Sequence, residues 1–244
     1  TSLRELEQAS IAFENDEKGL NEKWLKQLLA PGSSLGGARP KASVLATDGS
    51  LWIAKFPSKN DDFNSGAWEM VVHELAVMCG LNVPEAKAEK FSRLGTTFLV
   101  KRFDRIESRR IHFSSAMTML GKKDGANAAD GSSYLEIVSF LKANGATPKK
   151  DIQELWKRIV FSMAVSNTDD HFRNHGFILE EKGWVLSPMY DVNPDIYGEF
   201  LSLNVDEDNS AIDFDLAIEA APYYEISTEQ AKKNVTAIRK TVAD

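Results

Sequence analysis

Two side chains five residues apart, Asp169 and Asn174, stand in the stretch Ser166-Asn167-Thr168-Asp169-Asp170-His171-Phe172-Arg173-Asn174-His175-Gly176, a dense polar segment between two apolar ones. Such polar density is unusual for a mere connector, because loops held by rigid neighbours are where binding and catalysis concentrate. An aspartate there can take a proton from a hydroxyl, and an asparagine can offer its amide oxygen to a cation. A further carboxylate, Asp191, follows a short hairpin pattern in which Phe177-Ile178-Leu179 and Trp184-Val185-Leu186 flank Glu180 to Gly183. Mg²⁺ is a hard, octahedral cation that favours carboxylate and amide oxygens, so Asn174 and Asp191 together suit it. The chemistry these types would serve is phosphoryl transfer.

The spacing Asp-x-x-x-x-Asn, followed by a hairpin and another Asp, is that of a protein-kinase catalytic loop and its downstream metal-binding aspartate. Two features upstream fit the same chemistry. The loop Gly32-Ser33-Ser34-Leu35-Gly36-Gly37 can bring backbone N–H groups close to phosphate oxygens, since glycine tolerates the required dihedrals and leaves room for the ligand. It is neither G-x-G-x-x-G nor a P-loop, and alone such a Gly-Gly stretch is more often a plain turn. Lys55 falls in phase with Leu51 and Ile53 on one face of a strand. A lysine on an apolar face wants an anion: a nucleotide phosphate, or a carboxylate of the following helix, where Glu69 and Glu74 are both available. Its alternative is an edge lysine with the ammonium in water.

Two other readings of the polar loop compete. His171 and His175 with Asp169 and Asp170 could form a transition-metal cluster, since imidazole and carboxylate suit Zn or Mn. The loop's polar groups could also simply cap helix ends and brace a turn. Neither accounts for the ordered series of Gly-loop, strand Lys, helix Glu, Asp-x4-Asn, hairpin and Asp. His73 and His112 have no comparable company.

The elements that must position these residues are legible in outline. Leu3, Leu6, Ile11, Leu20, Trp24, Leu25, Leu28 and Leu29 predict one or two short surface helices, ended by Pro31 and Gly32. Ser43 to Thr47 and Leu51 to Phe56 read as a hairpin turned at Asp48-Gly49. Helical spacing of Val71, Val72, Leu75, Ala76 and Cys79 predicts a helix over Ala67 to Cys79, capped by Gly80. Thr97 to Val100 predicts a strand, and residues 113–146 predict helical stretches broken by a loop from Gly121 to Gly131. The clearest helix opens at Thr147-Pro148, with Thr147 as cap and Ile152, Leu155, Trp156, Ile159, Val160 and Met163 on one face, and runs to about Asn167. The stretch from Phe214 to Asp244 also reads as helical.

The 244 residues carry 29 Lys plus Arg against 36 Asp plus Glu, a net charge of −7, which argues against a free-standing, non-specific nucleic-acid binder. With 43% hydrophobic and 27% charged residues the chain can bury a core, and global disorder is excluded. The single cysteine, Cys79, cannot form an internal disulfide. The sequence has no apolar run long enough to span a bilayer and no signal-peptide pattern at its start, so a soluble, cytoplasmic protein without membrane partners is expected.

Four stretches resemble the HipA family of serine/threonine kinases, toxins of bacterial toxin–antitoxin systems: Gly32 to Lys41, Leu99-Val100-Lys101-Arg102-Phe103-Asp104-Arg105, Asn167 to His175, and Leu186-Ser187-Pro188-Met189-Tyr190-Asp191-Val192-Asn193-Pro194. The resemblance runs over roughly residues 2–235. It implies Asp169 as catalytic base, Asn174 and Asp191 as Mg²⁺ ligands, Lys55 on the ATP phosphates and Glu69 orienting that lysine. It further implies that the backbone of Lys101 to Phe103 reads adenine, that Asp104 and His171 lie near the nucleotide, and that Gly36 and Gly37 cradle it. Ser34, with Ser33 as neighbouring alternative, matches a serine that the family autophosphorylates to switch itself off.

The expected architecture is therefore α+β and two-lobed like a protein kinase: a small sheet-containing N-lobe over 1–104, a mainly helical C-lobe over 105–244, and ATP·Mg²⁺ between them. The family's precedent implies a protein acceptor such as an aminoacyl-tRNA synthetase, a HipB-type antitoxin partner, and contact with DNA only through that antitoxin. Family members also usually carry a further small subdomain before the stretch that begins here. A small-molecule kinase of similar fold, or a catalytically inactive antitoxin-binding module, are the alternatives these residues leave open.

Overall fold

The computed structural model describes residues 2–15, 39–106, 109–195 and 197–243. The Gly-rich loop with Ser33, Ser34, Gly36 and Gly37, and the predicted helical run through Leu29, lie outside the described residues. Two compact units divide the chain, one made of Thr1–Val71 and Pro84–Arg109, the other of Val72–Val83 and Arg110–Asp244.

The first unit opens with α1 (Leu3–Glu14). Ser2 Oγ accepts from Glu5 N–H, and the Glu5 carboxylate accepts from Ser2 N–H at 2.9 Å, a reciprocal capping box that fixes the start of the helix. This is not the surface helix predicted. Leu6 and Ala9 are buried, and Leu6 joins Ala42, Trp52, Ala54, Phe56 and Leu99 in the core of the unit.

Four antiparallel strands form the sheet: β1 (Lys41–Leu45), β2 (Leu51–Lys55), β3 (Ala86–Glu89) and β4 (Thr97–Lys101), in the order β1-β2-β4-β3. The β1–β2 hairpin pairs Leu45 with Leu51 and closes through Ala46 N–H to Ser50 O (2.9 Å) and Gly49 N–H to Ala46 O (3.0 Å). Gly49, at φ 82°, supplies the left-handed residue that this turn needs. Sequence reading missed β3 because Ala-Lys-Ala-Glu holds no β-branched or aromatic residue. An edge strand needs only its backbone to pair, and charged side chains guard such an edge.

Helix α2 (Ser65–Met78) carries Glu69. Its start is pressed close to β4, since a Cβ on Gly66 would stand 2.0 Å from the Thr96 carbonyl oxygen. Its end is a Schellman motif, with Gly80 N–H on Val77 O (2.9 Å), Leu81 N–H on Ala76 O (3.0 Å) and Gly80 at φ 70°. The cap predicted at Gly80 is therefore present. Two short strands, β5 (Arg105–Ile106) and β6 (Arg109–Arg110), pair with each other.

The second unit is mainly helical: α3 (Ala116–Met119), α4 (Tyr134–Asn144), α5 (Pro148–Ala164), α6 (Phe214–Ala220) and α7 (Thr228–Ala243). All six residues assigned to the inner face of α5 are buried. Thr147 is the N-cap residue and Pro148 the first residue of α5, as predicted, but the Thr147 hydroxyl makes no bond to the helix backbone and donates instead to Asp151 Oδ2 at 3.0 Å. The helix stops at Ala164 rather than near Asn167. Strands β7 (Phe113–Ser115), β8 (Gly176–Glu180) and β9 (Gly183–Leu186) form an antiparallel sheet in that order. The β8–β9 hairpin was expected; β7, only three residues long, was not.

Candidate active site

In the first unit, Lys55 closes β2 and Glu69 leaves α2, and the two are ion-paired with both side chains nearly out of solvent (10% and 5% exposed). Glu74, the other carboxylate the sequence offered, is exposed. Lys55 Nζ also lies 5.8 Å from the centroid of the Phe98 ring. Lys101 N–H donates to Glu85 O (2.8 Å) and Arg102 N–H to Leu51 O (2.9 Å), so these two amides of the expected adenine-reading segment are spent in holding the chain to the sheet. Asp104 accepts from Arg102 Nε and Nη2 (2.8 and 2.7 Å) and is ion-paired with Arg105. Burial works against its charge, but the two guanidinium groups outweigh burial and hold its carboxyl below the ordinary aspartate value. Phe103 follows in the same half-buried stretch.

The second unit carries Asp169, His171, Asn174 and Asp191. Consecutive side chains of the 166–176 loop point opposite ways. Asp169 is 84% exposed, whereas the Asp170 side chain is 5% exposed and turned into the core. The peptide between them is pinned, because the Asp169 carbonyl accepts from Asn174 Nδ2 at 2.7 Å and from His171 N–H at 3.0 Å. With its NH₂ committed there, Asn174 has its Oδ1 to offer elsewhere. His171 Nε2 lies 3.7 Å from Asp169 Oδ1, beyond hydrogen-bond length, and the imidazole lines a groove with Met117, Asp124, Asn127, Arg173 and Ser202.

Asp191 has φ 57°, a left-handed conformation that aspartate adopts more readily than most residues and that clusters at functional sites. Its segment is tied to the 166–176 loop on both sides. Tyr190 Oη donates to Arg173 O at 2.7 Å, and Asn193 N–H reaches Asn167 Oδ1 at 3.4 Å. Asn167 is itself buried, with its N–H on Ser162 O at 2.8 Å. Burial, with the Asp191 charge beside it, raises the Tyr190 phenol well above its ordinary pKa, so it stays a neutral donor.

A carboxylate at Asp191 and an amide oxygen at Asn174 are the donor types a hard divalent cation prefers; Asn174 is held by the Asp169 carbonyl, and Asp191 Oδ1 accepts from Asn193 Nδ2 at 3.4 Å. The rival transition-metal cluster does not assemble: His175 is buried against Asp170, and among the described residues no group of three or more His, Cys, Asp or Glu is arranged to hold a metal.

Sequence reasoning missed the inner half of this site. The Asp170 carboxylate accepts from Tyr134 Oη at 2.9 Å, faces His175 Nε2 at 3.0 Å and lies 3.4 Å from Ser162 Oγ. Burial alone would raise its pKa; the charge and contact of His175 and the Tyr134 hydroxyl outweigh that, and it remains low. Adjacent aspartates were the available signal, since neighbours in an irregular loop often face opposite sides. Tyr134, thirty-six residues away, gave none.

A family model for the HipA-like C-terminal domain matches residues 33–244. The chain belongs to this family. Among relatives of the HipA-like domain, “Putative kinase Y4mE” of Sinorhizobium fredii is 28% identical over 182 residues, covering 65% of this chain and 41% of that protein. A “Putative kinase” of Haemophilus influenzae is 26% identical over 182 residues, covering 66% and 52% respectively. The chain thus spans about half the length of the curated relatives it matches. Among solved structures, HipA of Shewanella oneidensis MR-1, from a toxin–antitoxin complex with HipB and operator DNA, superposes with TM-score 0.71 at 18% identity, covering 91% of this chain and 62% of that one. The kinase CtkA of Helicobacter pylori superposes with TM-score 0.56 at 14% identity, covering 83% and 94%. This HipA-like chain therefore has an α+β, kinase-like fold. Among the described residues no helix is long and apolar enough to cross a membrane.

Proposed function

We propose that the chain is a kinase domain that transfers the γ-phosphoryl group of ATP to a serine or threonine hydroxyl of a protein, with Mg²⁺ as cofactor. The observation that carries this reading is the catalytic loop itself: a solvent-facing Asp169 carboxylate on a backbone locked by Asn174, in a chain of the HipA-like family. The acceptor oxygen forms a bond to the γ-phosphorus, the bond from that phosphorus to the β–γ bridging oxygen breaks, ADP leaves, and the hydroxyl proton passes to Asp169. Such a reaction asks the protein mainly for positioning and charge.

Asn174 Oδ1 and Asp191 would hold Mg²⁺, which when bound neutralises phosphate charge. Lys55, oriented by Glu69, would contact the ATP phosphates. The backbone of Lys101 to Phe103 would read adenine, with Asp104 and His171 near the nucleotide and Gly36 and Gly37 cradling it. Ser34, or Ser33 beside it, would be the self-modified residue. A dianionic phosphate on a loop that cradles other phosphates is repelled by them, so the modification would switch the kinase off.

The complex of HipA with HipB and operator DNA supports a HipB-type antitoxin as partner, with DNA reached only through it. We extend the reading to a cytoplasmic toxin whose target is a protein such as an aminoacyl-tRNA synthetase. Intact-mass measurement and peptide mapping after incubation with ATP and Mg²⁺, beside an Asp169→Asn control, test the core of the proposal. Phosphate on Ser34 or Ser33 that requires Asp169 is expected, and Ser34→Ala should abolish it if Ser34 is the site. ATP binding without transfer would favour a small-molecule kinase, and absence of ATP binding would overturn the kinase reading.

A further inference from the structure

We infer that Asp170, hydrogen-bonded by Tyr134 and faced by His175, is a positioning residue that aims Asp169 and Asn174 and so sets the rate of the transfer step. The inference rests on the kinase reading for its kinetic consequence. Its structural half stands apart from that reading.

The geometry is that of a lock on one peptide unit. On its outer side, the Asp169 carbonyl is held by Asn174 Nδ2 (2.7 Å) and His171 N–H (3.0 Å). On its inner side, Tyr134 Oη reaches both Asp170 Oδ2 (2.9 Å) and the Asp170 carbonyl (3.3 Å), while His175 Nε2 sits 3.0 Å from Oδ1. Tyr134 is the first residue of α4 and is fully buried, with its ring edge-on to His175 at 5.5 Å between centroids. His175 is anchored through its own carbonyl, which accepts from Ala116 N–H at 2.8 Å at the start of α3. The Asp170 side chain is thus clamped between two helix starts. Because its neighbour faces the other way, rotation of the loop that withdrew Asp170 would carry Asp169 inward and break the bond that orients Asn174.

Stability alone gives a poor reason for this arrangement. Burying a carboxylate is costly, and a buried ion pair can often be replaced by apolar residues without loss. What an apolar pair cannot do is hold a loop in one orientation through directed bonds, and catalytic groups placed by rigid supporting contacts lose rate steeply when misplaced.

The test compares Asp170→Asn and Tyr134→Phe with Tyr224→Phe. Tyr224 also spends a buried hydroxyl on a backbone carbonyl of the same unit, that of Val205, and among the described residues that hydroxyl makes no hydrogen bond to residues 166–176. Phosphate incorporation into the full chain is followed against ATP concentration, together with hydrogen exchange of loop amides by mass spectrometry. Asp170→Asn should lower the rate at saturating ATP by about 10- to 100-fold with the half-saturating ATP concentration unchanged. Tyr134→Phe should lower it less, in the same pattern, and both should speed exchange across residues 169–175. Tyr224→Phe should leave rate and loop exchange as they were. Loss of rate no greater than in Tyr224→Phe, or a loss that tracks weaker ATP binding, would overturn the inference. Should Asp170→Asn fail to fold, Tyr134→Phe decides by the same criteria. A wild-type chain that binds ATP but incorporates no phosphate would remove the self-modifying protein-kinase reading instead, and loop exchange alone would then decide whether Asp170 holds the loop.

Discussion

Glu69 of α2 is ion-paired with Lys55 at the end of β2, and both side chains are buried. The pair is made where the helix start is pressed onto β4, a closeness that only glycine at position 66 permits. A lysine placed on a strand is in this way held at a fixed point by a buried carboxylate.

Breaking this pair from one side should be expensive. Lys55→Met leaves the Glu69 carboxylate buried without its ammonium, a loss of about 3–5 kcal/mol. Replacing both residues by Met and Leu should recover at least half of that loss, because no buried charge is then stranded. Urea unfolding of the single and double variants gives the comparison, and ATP binding should be weakened in both.

Asp169→Asn should do the opposite. The side chain is exposed, so unfolding free energy should shift by less than about 0.5 kcal/mol, while phosphate transfer falls by about 10²–10⁴-fold. Thermal melting alongside a phosphate-incorporation assay separates the two effects. Full activity in the variant would remove Asp169 from the role of base.

Asp170 makes stability depend on pH in a defined direction. Its folded pKa lies below the ordinary value of 3.8, so its contribution is complete above that value and is lost as pH falls through the lower, folded one. The melting temperature of the wild type should therefore exceed that of Asp170→Asn at pH 5–7, and the gap should narrow below about pH 4. A gap that stayed constant down to pH 3 would show that the ionised carboxylate contributes nothing.

Gly176, which follows His175 into β8, has no room for a side chain. An added Cβ would stand 2.3 Å from Phe113 Cε2 and 2.6 Å from Cζ, and Ser114 O lies 3.2 Å away. Gly176→Ala should cost about 1–3 kcal/mol and, by shifting β8 against β7, should also reduce transfer. Thermal melting and the same incorporation assay measure both.

Local order was legible because local rules govern it. The β1–β2 hairpin, the Gly80 cap, the inner face of α5 and the β8–β9 hairpin follow from turn chemistry and periodicity over a few residues. The strands β3 and β7 were not legible, since short segments paired through backbone bonds need no particular side chains. The cap position of Thr147 was legible but its bond was not, because a hydroxyl at a helix start can donate to a carboxylate as readily as it accepts from the backbone. For α1, a stripe of one apolar residue per turn among charges concealed a buried face.

By its order of residue types alone, the sequence determined which candidate groups stand together: Asp169, Asn174 and Asp191 at their spacings, Lys55 on a strand, and a carboxylate for it on the next helix. Tertiary structure decided which carboxylate, Glu69 rather than Glu74, because only a folded helix against a sheet turns one of them inward. It also decided that of two adjacent aspartates one faces solvent and the other a tyrosine from far along the chain. Spacing fixes which groups can act together over a few residues; burial and long-range hydrogen bonds, which fix the direction of each group, exist only once the chain has closed on itself.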